Sequence, residues 1–438
     1  MLNFQAKGKI QFLQYQAASL LLYRSLLQTE VGLAWMAILA ALLDSGGKAI
    51  APVEAYAQWF VELTKQNQGW QDYLISQIFQ ADNAFSRQAQ VQELADLPPH
   101  VVKAARHDLQ VLQHIYVVSA ADISNWVKSL APISIDLVSW DQDTNPKIPL
   151  FPSKRQQHQQ ELRQKLQTTT NWADWLPDLA AYYYQFGSGS LANYDAWRWQ
   201  AGELVGVTHP DLIKLADLVG YELPKQKLIK NTEALLQGYP ALHTILYGSR
   251  GSGKSSLVKA LLGEYSDRGL RLVEVAKSDL GQLPEITEKL RLLPQKFIIF
   301  VDDLSFEDHE DSYKSLKVVL EGNLSARATN VVVYATSNRR HLIREFFGDR
   351  PRPQDGDEIQ AWDTVQEKLS FSDRFGLTLT FEPANQETYL AIVHHLARQA
   401  GINLTPAELD YQALQWAVQH NGRSGRTARQ FIDFLKFA

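Results

Sequence analysis

The stretch Gly248-Ser249-Arg250-Gly251-Ser252-Gly253-Lys254-Ser255 sets three glycines, one lysine and a closing hydroxyl at fixed spacing, directly after the apolar run Thr244-Ile245-Leu246-Tyr247. Those residue types can cradle the phosphates of ATP or GTP. Glycine lets consecutive backbone N–H groups turn inward, Lys254 supplies a mobile cation for the outer phosphates, and Ser255 offers its hydroxyl to Mg²⁺. Ser256-Leu257-Val258-Lys259-Ala260-Leu261-Leu262 follows with helical spacing. The positive end of that helix is expected to point at the same anion, so the candidate phosphate-binding segment runs from Gly248 through Ser256.

A second constellation lies further along. Phe297-Ile298-Ile299-Phe300-Val301 reads as a buried strand ending in Asp302-Asp303, a Walker B pattern. Asp302 is expected to hold Mg²⁺ directly or through water, and Asp303 falls where a general base could orient an attacking water. Two acids at a strand end also suit a helix N-cap. Val331-Val332-Val333-Tyr334-Ala335 then runs into Thr336-Ser337-Asn338. An amide at Asn338 can donate to phosphate and accept from water at once.

The elements that must position these groups alternate from Leu212 onward. Strands are predicted at 243–247, 270–275, 297–301, 331–335 and 377–381, with amphipathic helices between them. That alternation predicts an α/β fold, a parallel sheet covered by helices on both faces. The earlier half reads differently. From Ile10 to about His114 the spacing is helical, and Trp35, Trp59, Trp70 and Tyr73 are expected in its core. A strand is predicted over Ile133–Val138, a turn-rich segment over Asp141–Pro152, and a Gln-rich helix over Lys154–Gln167. Trp172, Trp175, Tyr182-Tyr183-Tyr184, Trp197 and Trp199 then crowd together. They are expected to pack between domains; a base-stacking surface for nucleic acid is the alternative, weakened because Arg198 is the one cation interleaved with the rings. The predicted domains are a mainly helical 1–200, a nucleotide-binding 201–382 and a helical lid 383–438.

Composition narrows the chemistry further. At 438 residues the chain should form two or three domains, and 45% apolar with 21% charged residues is the balance of a globular protein. No cysteine occurs, which excludes disulfides, zinc-thiolate sites, iron–sulfur clusters and thiol catalysis, and fits a cytoplasmic setting. A formal net charge of −5 gives no global attraction to nucleic acid or anionic lipid. The first residues lack the pattern of an export signal, and the longest apolar run, Val31–Leu43, is short of the ~18 residues that span a bilayer. No membrane insertion is expected.

Taken in order, the phosphate loop, Val301-Asp302-Asp303, Ala335-Thr336-Ser337-Asn338, Ser372-Asp373-Arg374-Phe375 and Gly422-Arg423-Ser424-Gly425-Arg426 resemble the AAA+ ATPases. The wording Phe300-Val301-Asp302-Asp303-Leu304-Ser305-Phe306 and Ser372-Asp373-Arg374-Phe375-Gly376 is similar to an uncharacterised bacterial AAA+ family known as a domain of unknown function. The resemblance covers about 212–438. It implies that Asn338 is the sensor-one residue beside the γ-phosphate, and that Arg374 is an arginine finger inserted into a neighbouring subunit's site. It also implies that one of Arg423, Arg426 and Arg429, best matched by Arg426, is sensor two on a helical lid. Val219-Gly220-Tyr221 resembles the segment that packs around adenine, although Gly220 also suits a simple helix stop.

The chain departs from the many family members whose Walker B motif ends in Asp-Glu. Asp303 is one methylene shorter, a difference in reach of about 1.5 Å. The acidic Glu307-Asp308-His309-Glu310-Asp311 suits a solvated helix start more simply than a second metal site. Arg339-Arg340-His341 and the Arg344–Arg352 segment, followed by acids at Asp355–Glu358, read as an irregular insertion that meets a substrate or neighbour. The resemblance implies an ATP- and Mg²⁺-dependent hydrolase, assembled as a homo-oligomeric ring, that remodels an unidentified protein client. Two alternatives stand beside it: an ATP-gated switch or scaffold with little turnover, and a DNA-handling loader.

Overall fold

Helix starts in the N-terminal half are set by side chains that satisfy otherwise unpaired backbone donors. Thr29 accepts from Gly32 N–H at the head of α2, and Ser119 and Asp122 form a reciprocal capping box at the head of α7. The computed structural model describes residues 4–44, 50–131, 135–140, 154–211, 213–306, 312–321, 328–338, 374–420 and 422–436. They form two units, Met1–Asn193 and Tyr194–Ala438. The described part of the first unit is helical: α1 Phe4–Ser19, α2 Glu30–Leu43, α3 Ala51–Gln66, α4 Trp70–Phe79, α5 Ala84–Ala89, α6 Pro99–Tyr116, α7 Ala120–Leu130, α8 Lys154–Thr168 and α9 Leu176–Phe186.

Aromatic side chains fill the core of this unit, as the helical spacing predicts for Trp35, Trp59, Trp70 and Tyr73. Trp35 stacks on Trp70 at 5.2 Å between ring centroids, and Trp59 meets Trp70 edge-on at 5.7 Å. Trp172, Trp175, Tyr182 and Tyr183 belong to the same core, so these rings pack within one unit, which corrects the expected packing between domains. Each such ring removes a large apolar surface from water, worth roughly 1.5–3 kcal/mol. Among them sits a carboxylate: Asp108 of α6 is 0% exposed and accepts from the backbone N–H groups of Leu21, Leu22 and Tyr23 at 3.0, 2.7 and 2.9 Å. The strand predicted over Ile133–Val138 does not form in the described residues 135–140. The described part of this unit has no strand to pair with it. The turn-rich segment from 141 lies outside the described residues.

The second unit holds a seven-stranded sheet in the order β2-β1-β4-β5-β6-β3-β7. Its strands are β1 Ala196–Gln200, β2 Glu203–Gly206, β3 Thr244–Gly248, β4 Leu270–Glu274, β5 Lys296–Val301, β6 Val331–Ser337 and β7 Leu377–Phe381. All pairings are parallel except β1 with β2. Five strands match the predicted segments within a residue or two. The β1–β2 hairpin was missed, and it moves the unit boundary from residue 200 to between Asn193 and Tyr194. Trp197 and Trp199 are buried on β1, and Arg198 pairs across the strands with Glu274 at 2.8 Å.

Helices cover both faces of the sheet. Leu246, Ile298, Phe300, Val332 and Tyr334 pack with α10 (Glu222–Leu236) and α11 (Lys254–Tyr265). Ile245, Ile299, Val301, Val333 and Ala335 alternate to the other face, and α12 (Leu283–Arg291) contacts β6. α13 (Ser312–Glu321) lies beside α12. A three-helix subdomain closes the chain: α14 Gln386–Ala400, α15 Pro406–Gln419 and α16 Gly425–Leu435, with Tyr389, Val393, Leu409, Ala413, Phe431 and Ile432 in its own core.

Candidate nucleotide site

Parallel pairing in register brings the motif residues to one edge of the sheet. Tyr247 lies opposite Ser337, Gly248 opposite Phe381, and Val301 opposite Ala335. The loop after β3, the acids after β5 and the amide after β6 therefore emerge side by side at the strands' carboxyl ends, where ligands collect in such sheets. They line a cavity of about 800 Å³.

The loop's conformation depends on its glycines. At Gly248 φ is +144°, and a Cβ there would lie 1.9 Å from the Phe381 carbonyl oxygen, so the approach of β3 to β7 has no room for a side chain. Gly253, at φ +87°, has nothing within 4 Å of an added Cβ and borders open cavity. Arg250 through Leu257 line the cavity, whereas Gly248 and Ser249 are not among its lining residues. The carbonyls of Gly248 and Ser249 accept from Lys254 Nζ at 3.0 and 2.8 Å, and Asn338 Oδ1 accepts from the same ammonium at 3.2 Å. Lys254 is 7% exposed. Burial pushes its ammonium below the ordinary lysine value, Asp302 and Asp303 pull it back up, and Arg426 adds to the depression.

The two acids are held differently. Asp302 Oδ1 accepts from Ser255 Oγ at 2.6 Å and from Thr336 Oγ1 at 2.5 Å. Asp303 adopts a left-handed backbone, φ +51°. Its carboxylate accepts from Asn338 Nδ2 at 2.7 Å, and its N–H donates to Thr336 Oγ1 at 3.0 Å. Asn338 thus bridges Lys254 and Asp303. A hydroxyl and a carboxylate joined at 2.6 Å form the hard-oxygen donor set that suits Mg²⁺, an ion usually held by one or two protein groups with phosphate and water completing six positions. No cluster of three or more His, Cys, Asp or Glu residues suited to a metal occurs among the described residues.

The remaining walls come from both sides of the sheet domain. Gly220 and Tyr221 line the cavity, with Ile213, Leu218, Ile392 and Leu396 as apolar neighbours. Tyr221 also takes a left-handed conformation, φ +57°, and its hydroxyl donates to the Glu382 carbonyl at 2.7 Å. Arg426 and Arg429 both line the cavity from α16, and Arg426 N–H donates to Gly251 O at 3.3 Å. Ser424 caps that helix, so Arg423 precedes it and does not share its face with the other two. Arg374 is not among the lining residues and pairs with Glu321 of α13. Ser372, Asp373, the acidic run 307–311 and the basic insertion from 339 lie outside the described residues.

Thr336 was read only as motif wording, and nothing in the spacing disclosed that its hydroxyl joins both acids. Ile213, Ile392 and Leu396 were also missed. Ile392 and Leu396 are spaced by four on one helix, a pattern indistinguishable in sequence from ordinary lid core.

A protein-family model described as "Protein of unknown function (DUF815)" matches residues 192–437. The large subunit of replication factor C from Staphylothermus marinus is 39% identical over 74 residues, 17% of this chain and 17% of that relative's length. Among solved structures, the RuvB Holliday junction branch migration motor of Thermotoga maritima is 13% identical, covering 51% of this chain and 72% of its own, with a TM-score of 0.31. A variant of the same RuvB gives 14% identity and a TM-score of 0.32 at the same coverage. Likenesses that slight add nothing to the geometry above.

Proposed function

The chain belongs to the family described as "Protein of unknown function (DUF815)", and we propose that it is an AAA+ P-loop protein that binds and hydrolyses ATP with Mg²⁺ and works as a homo-oligomer. The observation that carries the reading is the convergence of Lys254, Ser255, Asp302, Asp303 and Asn338 at one cavity edge, joined by hydrogen bonds of 2.6–3.2 Å. Backbone N–H groups at the head of α11 and the Lys254 ammonium take the phosphates; Ser255 and Asp302 hold Mg²⁺, whose bound charge offsets that of the phosphates. Asp303 accepts a proton from water, and Asn338 fixes where that carboxylate sits. Arg426, and Arg429 beside it, answer the phosphates from α16. Gly220 and Tyr221 with their apolar neighbours take the base, and the choice of ATP rests on the family resemblance.

Arg374 supports an interface role because it is absent from its own chain's cavity while an arginine of its kind could stabilise charge in a neighbour's site. A ring that remodels a protein client in the cytoplasm follows from that reading, with nucleic acid as a less favoured client. No helix among the described residues is long and apolar enough to cross a membrane. A switch with little turnover is the second reading, favoured by the short acid Asp303; steady-state phosphate release separates the two, and stimulation by DNA would mark a loader. The direct test mixes Arg374→Ala subunits with Lys254→Ala subunits, each inactive alone. Recovered hydrolysis in the mixture supports action in trans, whereas a strictly monomeric, fully active protein removes the ring.

A further inference from the structure

We propose that Thr336 is the positioning residue for both acids of the site, a role that rests on the reading of Asp302 and Asp303 given above. Thr336 is 2% exposed on the interior strand β6, where a buried hydroxyl must find partners. Among the described residues it finds them on the acidic turn: it donates to Asp302 Oδ1 at 2.5 Å and accepts from Asp303 N–H at 3.0 Å. Its backbone carbonyl takes the next donor, Leu304 N–H, at 2.7 Å. One residue therefore fastens the chain at three successive positions just past the end of β5.

The consequence is visible in the backbone. Asp303 is pinned on both sides, through its own N–H and through that of Leu304, and between those attachments it turns left-handed at φ +51°. Aspartate visits that region more readily than glutamate because its short polar side chain can bond locally. The turn thus re-aims a short acid, and its carboxylate reaches Asn338 at 2.7 Å. Geometry supplied by Thr336 stands in for the missing methylene. Its methyl group only fills a strand position; its hydroxyl sets the metal-binding and the water-orienting carboxylates relative to each other.

The test compares Thr336→Val and Thr336→Ala, which lack the hydroxyl, with Thr336→Ser, which keeps it. Two readouts are taken: kcat and KM for phosphate release, and the affinity of a fluorescent ATP analogue with and without Mg²⁺. Without the hydroxyl, kcat should fall about 10²-fold, further than KM rises. The Mg²⁺-dependent gain in nucleotide affinity should shrink by about 10-fold. Thr336→Ser should restore both to within about 3-fold. The alanine variant covers the case in which valine does not fold. Unchanged kcat and unchanged Mg²⁺ linkage in a folded hydroxyl-free variant overturn the proposal, as does a serine variant as impaired as alanine, because side-chain volume would then be the cause. If the wild-type chain binds ATP yet releases no phosphate, the catalytic reading fails on its own, and the Mg²⁺-linked affinity still decides whether Thr336 sets Asp302.

Discussion

Replacing Asp303 with glutamate separates reach from geometry. A longer acid restores the side chain common in related Walker B motifs, so reach alone predicts faster hydrolysis. The structure predicts the reverse. Asp303 sits at φ +51°, a conformation that costs most L-residues about 1–2 kcal/mol and aspartate less. Glutamate should lose about 1 kcal/mol there, and about 1 kcal/mol more if its carboxylate no longer meets Asn338, now 2.7 Å away. A total near 2 kcal/mol lowers Tm of a unit this size by about 4–8 °C. Moving the carboxylate by the length of one carbon–carbon bond, about 1.5 Å, should reduce kcat by about 10²-fold. Phosphate release at saturating ATP and a thermal scan without nucleotide measure the two effects on one preparation. A glutamate variant that matches or exceeds wild-type turnover with an unshifted Tm refutes the argument.

The glycines of the phosphate loop should respond unequally. Gly248→Ala drives a methyl to 1.9 Å from the Phe381 carbonyl oxygen and should cost about 3 kcal/mol or more in a urea titration, while Gly253→Ala meets no atom within 4 Å and should cost about 1–2 kcal/mol. ATP affinity should decline with rising pH below the ordinary lysine range, because burial depresses Lys254 and only its protonated form attracts phosphate; a flat profile through that range contradicts the assignment, and Lys254→Arg, if it binds, should lack the decline. In the first unit, Asp108→Leu leaves the N–H groups of Leu21, Leu22 and Tyr23 without their acceptor and should destabilise that unit by about 2–5 kcal/mol, read from the loss of its near-ultraviolet aromatic signal.

Much of the candidate site was legible because its residues are local in sequence. The phosphate loop, the acids after β5 and the amide after β6 each carry their function in a few consecutive residues, and strand runs such as Phe297–Val301 have no reading but burial. What escaped depends on contacts between distant segments. Asp108 looks like any solvated acid on an amphipathic helix, yet it folds onto a turn 85 to 87 residues away. The β1–β2 hairpin escaped because Trp197 and Trp199 share the aromatic texture of the preceding helices, and only pairing with β4 assigns them to the sheet. Thr336 is an ordinary β-former until the register sets it beside Asp302. The left-handed turn at Asp303 was invisible for the same reason, since residue type permits it but its partners Thr336 and Asn338 lie more than thirty residues away in sequence.

The most direct measurement is paired ATP binding and phosphate release on the wild-type chain and Asp303→Asn, which keeps a side chain that tolerates the left-handed turn. ATP affinity should be similar in both, with hydrolysis in the wild type and a loss of at least about 10²-fold in the variant. Normal hydrolysis by Asp303→Asn, or no ATP binding by the wild type, would contradict it.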